Sequence, residues 1–116
     1  MGVANFSDTG KGETVEYAFD NARENAIWDY GHDSYNGTIS TCDSVVDFTN
    51  DIPEDLSTPE KIAILELGVT GQYSGKVDPK YYELCSLVES TVEKWGPCAA
   101  VKIGEGQYFF SGLAAT

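Results

Sequence analysis

Residues 98–112 have the sequence CAAVKIGEGQYFFSG, and this stretch decides the predicted fold. Two segments rich in apolar residues, 98–103 and 107–112, flank a compact glycine-bearing turn, a pattern typical of a β-hairpin. Strand alternation places Tyr108 and Phe110 on one face of the sheet and Phe109 on the other. Aromatic rings on both faces predict that both are covered, by helices on one side and by an oligomeric partner on the other. A homodimer is therefore one expectation.

Three helices are predicted upstream of this hairpin. In residues 14–30, apolar side chains recur at three- and four-residue steps after the capping residue Thr14. Thr58-Pro59 and Asp78-Pro79 each place a capping residue before the proline favoured at the first helical position. These signals predict a short helix over residues 59–67 and a long helix over 79–95. The polar face of the first helix is expected to carry Asp20, Arg23 and Glu24.

The remaining segments complete an α+β prediction. Residues 1–6 are expected to form a short strand, and the turn formers in residues 7–12 a loop. Residues 38–41 and 45–49 are rich in β-branched and aromatic residues and are expected to be extended. We therefore predict one compact domain over residues 1–116, in which two longer helices and one short helix pack on a small, mostly antiparallel sheet that ends in the hairpin.

The charge of the chain restricts its partners. Nineteen acidic and seven basic residues give a net charge of −12, which repels nucleic-acid phosphates and anionic lipid surfaces. We therefore expect neither direct nucleic-acid binding nor membrane binding. The same charge suits docking on a basic surface of another protein. A row of carboxylates near the first helix also leaves mimicry of DNA open as an interpretation: Glu13, Glu16, Asp20, Glu24 and Asp29.

No metal or cofactor site is predicted. Cys42, Cys85 and Cys98 form an odd set without C-x-x-C spacing, which argues against a zinc site or a disulfide framework and favours a reducing compartment. Gly10-Lys11-Gly12 lacks the spacing of a phosphate-binding loop. The sequence also shows no basic-then-apolar leader and no window as long as a membrane span. These features predict a cytoplasmic protein.

The best candidate site is the segment YGHDSYNGTIST at residues 30–41, which contains the only histidine. The two tyrosines can stack on a planar ligand or anchor a partner, and the polar side chains offer directional hydrogen bonds. The alternative is that Tyr35 and Ile39 fill the core while His32 and Asn36 close a turn. His32 could also act as a general base, but no nucleophile can be assigned to it, so no catalytic residue is predicted. The predicted binding residues are Tyr30, His32, Asp33, Tyr35, Asn36 and Thr38.

Three segments resemble small uncharacterised proteins encoded by bacteriophages: residues 22–39, 94–97 and 108–112. The most specific element is Gly-His-x-x-Tyr-x-Gly-Thr-Ile at residues 31–39. The resemblance implies a context, since phage accessory proteins of this size are often inhibitors of host defence. Such proteins act by blocking a protein or by sequestering a small signalling nucleotide.

Three functional hypotheses follow. The leading one is a non-enzymatic phage or mobile-element protein in the bacterial cytoplasm, which inhibits a host defence protein through its acidic surface and residues 30–39. The alternative is a module that binds a small ligand or signalling nucleotide. That module would require Arg23, Lys94 or Lys102 to converge against the global negative field. The third is a small hydrolase that uses His32.

Overall fold

A computed structural model describes residues 3–30, except the side chain of Tyr30, and residues 37–115. Within these ranges, four strands and three α-helices confirm the predicted α+β class. The elements, in chain order, are β1 (Val3–Lys11), α1 (Val15–Tyr30), a 3₁₀ turn (Ile39–Thr41), β2 (Ser44–Asp47), α2 (Thr58–Thr70), a second 3₁₀ turn (Pro79–Tyr81), α3 (Tyr82–Thr91), β3 (Pro97–Gly104) and β4 (Gln107–Ala115).

The four strands form one sheet in the order β1-β4-β3-β2. The predicted hairpin is confirmed as β3 and β4, which pair antiparallel with an irregularity between Lys102 and Gly104. On its other side β4 pairs antiparallel with β1, from Val3 opposite Ala115 to Lys11 opposite Gln107. The short strand β2 lies parallel to β3. The sheet is therefore mixed, with its parallel pair at one edge.

Helices cover both faces of this sheet. Phe109 belongs to a core that α2 and α3 form on one face, whereas Tyr108 and Phe110 belong to a second core beneath α1. The alternation predicted for the three aromatic residues is thus confirmed. Because α1 occupies the second face, no oligomeric partner is needed to cover it, and the homodimer stays a prediction. The alternation therefore gives no reason to invoke a homodimer.

The prediction of a loop at residues 7–12 was wrong, because β1 continues to Lys11. The partner that keeps these residues extended is β4, about 100 residues further along the chain, and local turn propensity carries no information about it. Gly10 has a packing role. A Cβ atom there would overlap the carbonyl oxygen of Ala18 and lie 3.1 Å from a ring carbon of Phe110. The glycine therefore allows α1 to lie directly against the strand.

Residues 38–41 were predicted to be extended, but residues 39–41 form a 3₁₀ turn. The Thr38 side chain accepts a hydrogen bond from the Ser40 amide at 3.3 Å, and the Thr41 hydroxyl donates to the Thr38 carbonyl at 3.0 Å. Hydroxyl groups that bond to nearby backbone compete with strand pairing, which explains this difference. The next extended segment, predicted at 45–49, is confirmed only in part, because β2 ends at Asp47 and Thr49 lies in a turn.

All three predicted helices are observed, but the residues at which they begin or end differ from the prediction. The helix over residues 14–30 is confirmed as α1, and the Tyr17 amide bonds to the Thr14 hydroxyl at 3.3 Å. Helix α2 is capped by Ser57 rather than Thr58, through a capping box in which Ser57 and Glu60 satisfy each other. It extends to Thr70 and ends at Gly71, whose φ of 75° is the left-handed conformation typical of a helix end.

The third helix is shorter than predicted. Proline 79 opens a 3₁₀ turn, α3 follows it, and the chain leaves the helix at Val92 rather than at Trp95. Val92 is extended and buried, so its side chain is directed into the core as the chain turns towards β3. The turn is closed by hydrogen bonds from the Glu93 amide to the Pro97 carbonyl and from the Gly96 amide to the Glu93 carbonyl.

Candidate functional site

Most of the predicted binding loop lies outside the described residues. This applies to His32, Asp33, Tyr35 and Asn36, and to the side chain of Tyr30, whose backbone ends α1. Thr38 is described and half-buried. Its hydroxyl lies 2.9 Å from the Ser40 hydroxyl and helps to cap the 3₁₀ turn. The role of Thr38 that the structure documents is therefore local, and the recognition role of the loop stays a prediction.

A solvent-open depression lies beside Thr38, between β1 and the C-terminal half of α1. We call it the β1–α1 pocket; its volume is about 580 Å³. Gly37, Thr38 and Ile39 form one wall. The other residues that line it are Phe6, Ser7, Asp8 and Thr9 from β1, and Asn25, Ala26, Trp28 and Asp29 from α1. Sequence reasoning missed this pocket, because Ser7, Asp8 and Thr9, which form its β1 side together with Phe6, were predicted to be part of a loop.

Side chains of β1 alternate between the two faces of the sheet, and this alternation fixes which of them reach the pocket. Phe6 packs against the core beneath α1. Ser7, the next residue, donates a hydrogen bond of 2.6 Å to Glu66 of α2 on the opposite face. Because strand side chains repeat every two residues, Asp8 shares the α1 side with Phe6. The Asp8 carboxylate therefore faces the pocket from the β1 side.

The solvent side of α1 combines acidic and aromatic residues. At 100° per residue, five of its exposed side chains fall within about 120° of the helix circumference. Tyr17 and Trp28 are 65% and 88% exposed, and at 1.5 Å per residue they lie about 16 Å apart along the helix. The three carboxylates of the face are also exposed. We call this surface the acidic-aromatic face, and it consists of Glu16, Tyr17, Asp20, Glu24 and Trp28.

Arg23 does not belong to the polar face on which it was predicted. Its guanidinium group lies 5.5 Å from the centre of the Phe19 ring and donates a hydrogen bond of 3.4 Å to the Ser40 carbonyl. The Nε atom is buried and has no hydrogen-bond partner among the described residues. The long side chain thus folds back over the core beneath α1. Asp20 and Glu24 remain on the exposed face, as predicted.

The convergence of cations required for the nucleotide hypothesis is not seen among the described residues. Lys102 lines an open depression of about 540 Å³ together with Lys61, but Glu54 and Glu105 line it as well. Neither Arg23 nor Lys94 is among the residues of this depression. The two lysines are thus balanced by two carboxylates, which gives no local excess of positive charge for a phosphate group.

The thiol groups point inwards. Cys42 and Cys98 lie together in the core beneath α1, and Cys85 lies in the other core. A hydrogen bond with the Cys42 thiol and burial both raise the pKa of Cys98, and burial raises the pKa of Cys85. The Cys42 thiol donates to the Leu113 carbonyl at 3.6 Å. Buried thiols with raised pKa values are poor nucleophiles, so this arrangement is typical of structural cysteines.

In the described part of the chain, no group of three or more His, Cys, Asp or Glu side chains is arranged to hold a metal ion. No helix within the same ranges combines the length and the apolar character needed to cross a bilayer.

Comparisons with known proteins give no match: no protein-family model, no curated protein and no solved structure resembles the chain significantly. The function is therefore inferred from the surface features described above.

Proposed function

We propose that this protein is a non-enzymatic binding protein that docks its acidic-aromatic face, together with the adjoining residues 30–39, on a basic surface of another protein. The observation that supports this proposal most directly is the composition of the exposed side of α1, where two large aromatic side chains stand among three carboxylates. Following the phage resemblance, the proposed partner is a host defence protein in the bacterial cytoplasm, and the proposed consequence of docking is its inhibition.

The two kinds of side chain on this face have complementary roles. Tyrosine and tryptophan are the residues most often found as energetic anchors of protein interfaces, since they bury a large area with few rotatable bonds. The carboxylates add to the net charge of −12 and accelerate encounter with a positively charged surface. Together they fit a partner surface in which apolar pockets are surrounded by lysine and arginine.

Capture from a bacterial lysate on the immobilised protein, followed by identification and purification of the captured protein, tests the proposal. We expect Tyr17→Ala and Trp28→Ala each to weaken binding of the purified partner at least tenfold, the effect of losing an interface anchor. Leu87→Ala is the matched control, because Leu87 is 48% exposed on α3. Equal binding by all three variants would contradict the proposal.

The contribution of charge is tested separately. An Asp20→Asn/Glu24→Gln variant should bind the partner more slowly at low salt, and the difference should shrink as salt screens the interaction. An Asp55→Asn/Glu83→Gln variant removes the same number of charges from exposed positions outside the acidic-aromatic face. If this control slows association equally, only the net charge matters. A His32→Ala/Tyr35→Ala variant tests whether the predicted loop belongs to the interface.

A further inference from the structure

We infer that the β1–α1 pocket binds a guanidinium group, presented as an arginine side chain by the basic partner. This inference rests on the proposed function and assigns one specific contact to it. It is supported by three properties of the pocket: the charge of its lining, the exposed indole of Trp28, and the different elements from which its polar groups come.

The charge of the lining selects a cation. Asp8 and Asp29 supply two carboxylates, and none of the residues that line the pocket is a lysine or arginine. One oxygen of Asp8 accepts the Thr9 amide at 2.8 Å, which holds the carboxylate in place and leaves its second oxygen for a ligand. Asp29 is exposed at the other side of the pocket. Two carboxylates, with no lysine or arginine among the described residues of the lining, create a local negative potential that is stronger than the average surface provides.

The indole of Trp28 favours a flat cation over a compact one. It is 88% exposed and borders the pocket between the two elements, so its ring is free to stack with a ligand. A guanidinium group stacks on an indole face and donates hydrogen bonds in its own plane, whereas an ammonium group is a strongly hydrated point charge. An arginine that lies on Trp28 could therefore donate to carboxylates at the edge of the ring.

The pocket is also built on rigid elements. Its acidic groups come from β1, which is paired with β4 along its whole length, and from α1, which packs on the sheet through buried alanines. A site held by a strand and a helix requires little ordering when a ligand binds. Its volume of about 580 Å³ is in the range of ordinary ligand pockets and is ample for one side chain with accompanying water.

The test uses three short blocked peptides, Gly-Arg-Gly, Gly-Lys-Gly and Gly-citrulline-Gly, in titrations followed by ¹H–¹⁵N correlation spectra and by Trp fluorescence. Citrulline keeps the shape of arginine and removes its charge. We expect the arginine peptide to shift the signals of Asp8, Asn25 and the Trp28 indole with a dissociation constant of about 1–10 mM, a single-side-chain affinity. The lysine peptide should bind more weakly, and the citrulline peptide should cause no saturable shift.

Variants locate the binding. Asp8→Asn and Asp29→Asn should each weaken binding of the arginine peptide by about three- to fivefold, as expected for a solvent-accessible ion pair. Trp28→Ala should weaken it by a similar factor, since it removes the stacking surface. Asp55→Asn is the matched control, because Asp55 is an exposed carboxylate that belongs neither to the pocket nor to the acidic-aromatic face. The spectra themselves show whether each variant is folded.

Several outcomes would overturn the inference: equal binding of the arginine and citrulline peptides, equal binding of the arginine and lysine peptides, or equal effects of Asp55→Asn and Asp29→Asn. These results are distinguishable from failure of the proposed function. If the partner protein binds and depends on Tyr17 while the arginine peptide does not bind, the pocket inference alone fails. If the arginine peptide binds the pocket but no protein is captured through the acidic-aromatic face, the proposed function alone fails.

Discussion

The thiol of Cys98, the second residue of β3, lies in the same core as the thiol of Cys42, which follows the first 3₁₀ turn, and the contact with Cys42 raises the pKa of Cys98. Both side chains are buried in the core beneath α1. The contact between the two thiols therefore holds the chain just after residues 30–39 against strand β3 of the sheet. Because this contact requires at least one proton on sulfur, the stability of the fold is linked to pH in the alkaline range.

We expect the free energy of unfolding to decrease above about pH 9. The pKa values of Cys98 and Cys85 are raised in the folded protein above the ordinary thiol value of 9.0, so the folded state holds protons that the unfolded state releases. This stabilisation is complete below pH 9 and is lost as the pH rises towards the raised folded-state pKa values, by at most about 1.4 kcal/mol per pH unit for each thiol. Urea unfolding at pH 7 to 10.5 measures it.

The matched comparison for this prediction is Cys85→Ala, which removes one of the two thiols. Lysine and tyrosine ionisation affects both proteins equally, so the difference between their pH profiles isolates Cys85. Parallel profiles for the wild type and the variant would show that this thiol does not contribute.

Gly10→Ala should destabilise the protein by about 1–3 kcal/mol, the usual cost of overpacking. The added methyl group would overlap the Ala18 carbonyl and force α1 away from β1. Gly104→Ala is the control, since its Cβ would come no closer than 3.4 Å to a neighbour, the end of the Gln107 side chain. Thermal and urea unfolding of the two variants should differ clearly. Equal stability would mean that α1 does not approach the strand so closely.

Ser57→Ala should cost about 1 kcal/mol, because the Ser57 side chain caps α2 and takes part in its capping box. Thr58→Ala should change stability by less than about 0.5 kcal/mol, as for an exposed side chain without such a role. Chemical unfolding of the two single variants decides between the cap seen in the structure and the cap predicted from Thr58-Pro59. A larger loss of stability in Thr58→Ala than in Ser57→Ala would favour Thr58 as the capping residue.

Trp28→Ala should leave the free energy of unfolding within about 0.5 kcal/mol of the wild type, because the side chain is 88% exposed. This expectation matters for the binding experiments, in which the same variant should lose affinity. Calorimetry of the isolated variant measures stability independently of any partner. A large destabilisation would mean that Trp28 packs in the fold and does not serve as an interface anchor.

Elements with strong local signals were predictable from the sequence. The hairpin was identified by its glycine-bearing turn and alternating aromatics, and α1 by its apolar periodicity; both are observed. At residues 7–12 the prediction was wrong because the local signal and the tertiary structure disagree. Glycine, serine and aspartate favour turns locally, yet pairing with β4 and packing of Gly10 against Ala18 hold them in a strand. The turn propensity of a short segment carries no information about a partner strand so distant in sequence.

The candidate site was less predictable for a related reason. Thr38 is assigned to recognition from its type and position; its hydroxyl caps a 3₁₀ turn, which the sequence did not indicate, and its role in recognition stays a prediction. Arg23 was assigned to the solvent face by helical periodicity, but its long side chain reaches Phe19 and Ser40. Asp8 could not be identified at all, since its place in the pocket depends on the strand that was predicted as a loop. Carboxylates along α1, by contrast, were visible in the sequence.

The pairing of β1 with β4 has a consequence for biosynthesis. A ribosome delivers β1 first, and its hydrogen-bonding partner follows only after about 100 further residues. Strand β1 therefore stays without its partner strand until β4 has been synthesised, whereas the helices between them can already form through local contacts. Since pairing between such distant segments slows folding, we expect the sheet to be completed only after β4 has left the ribosome.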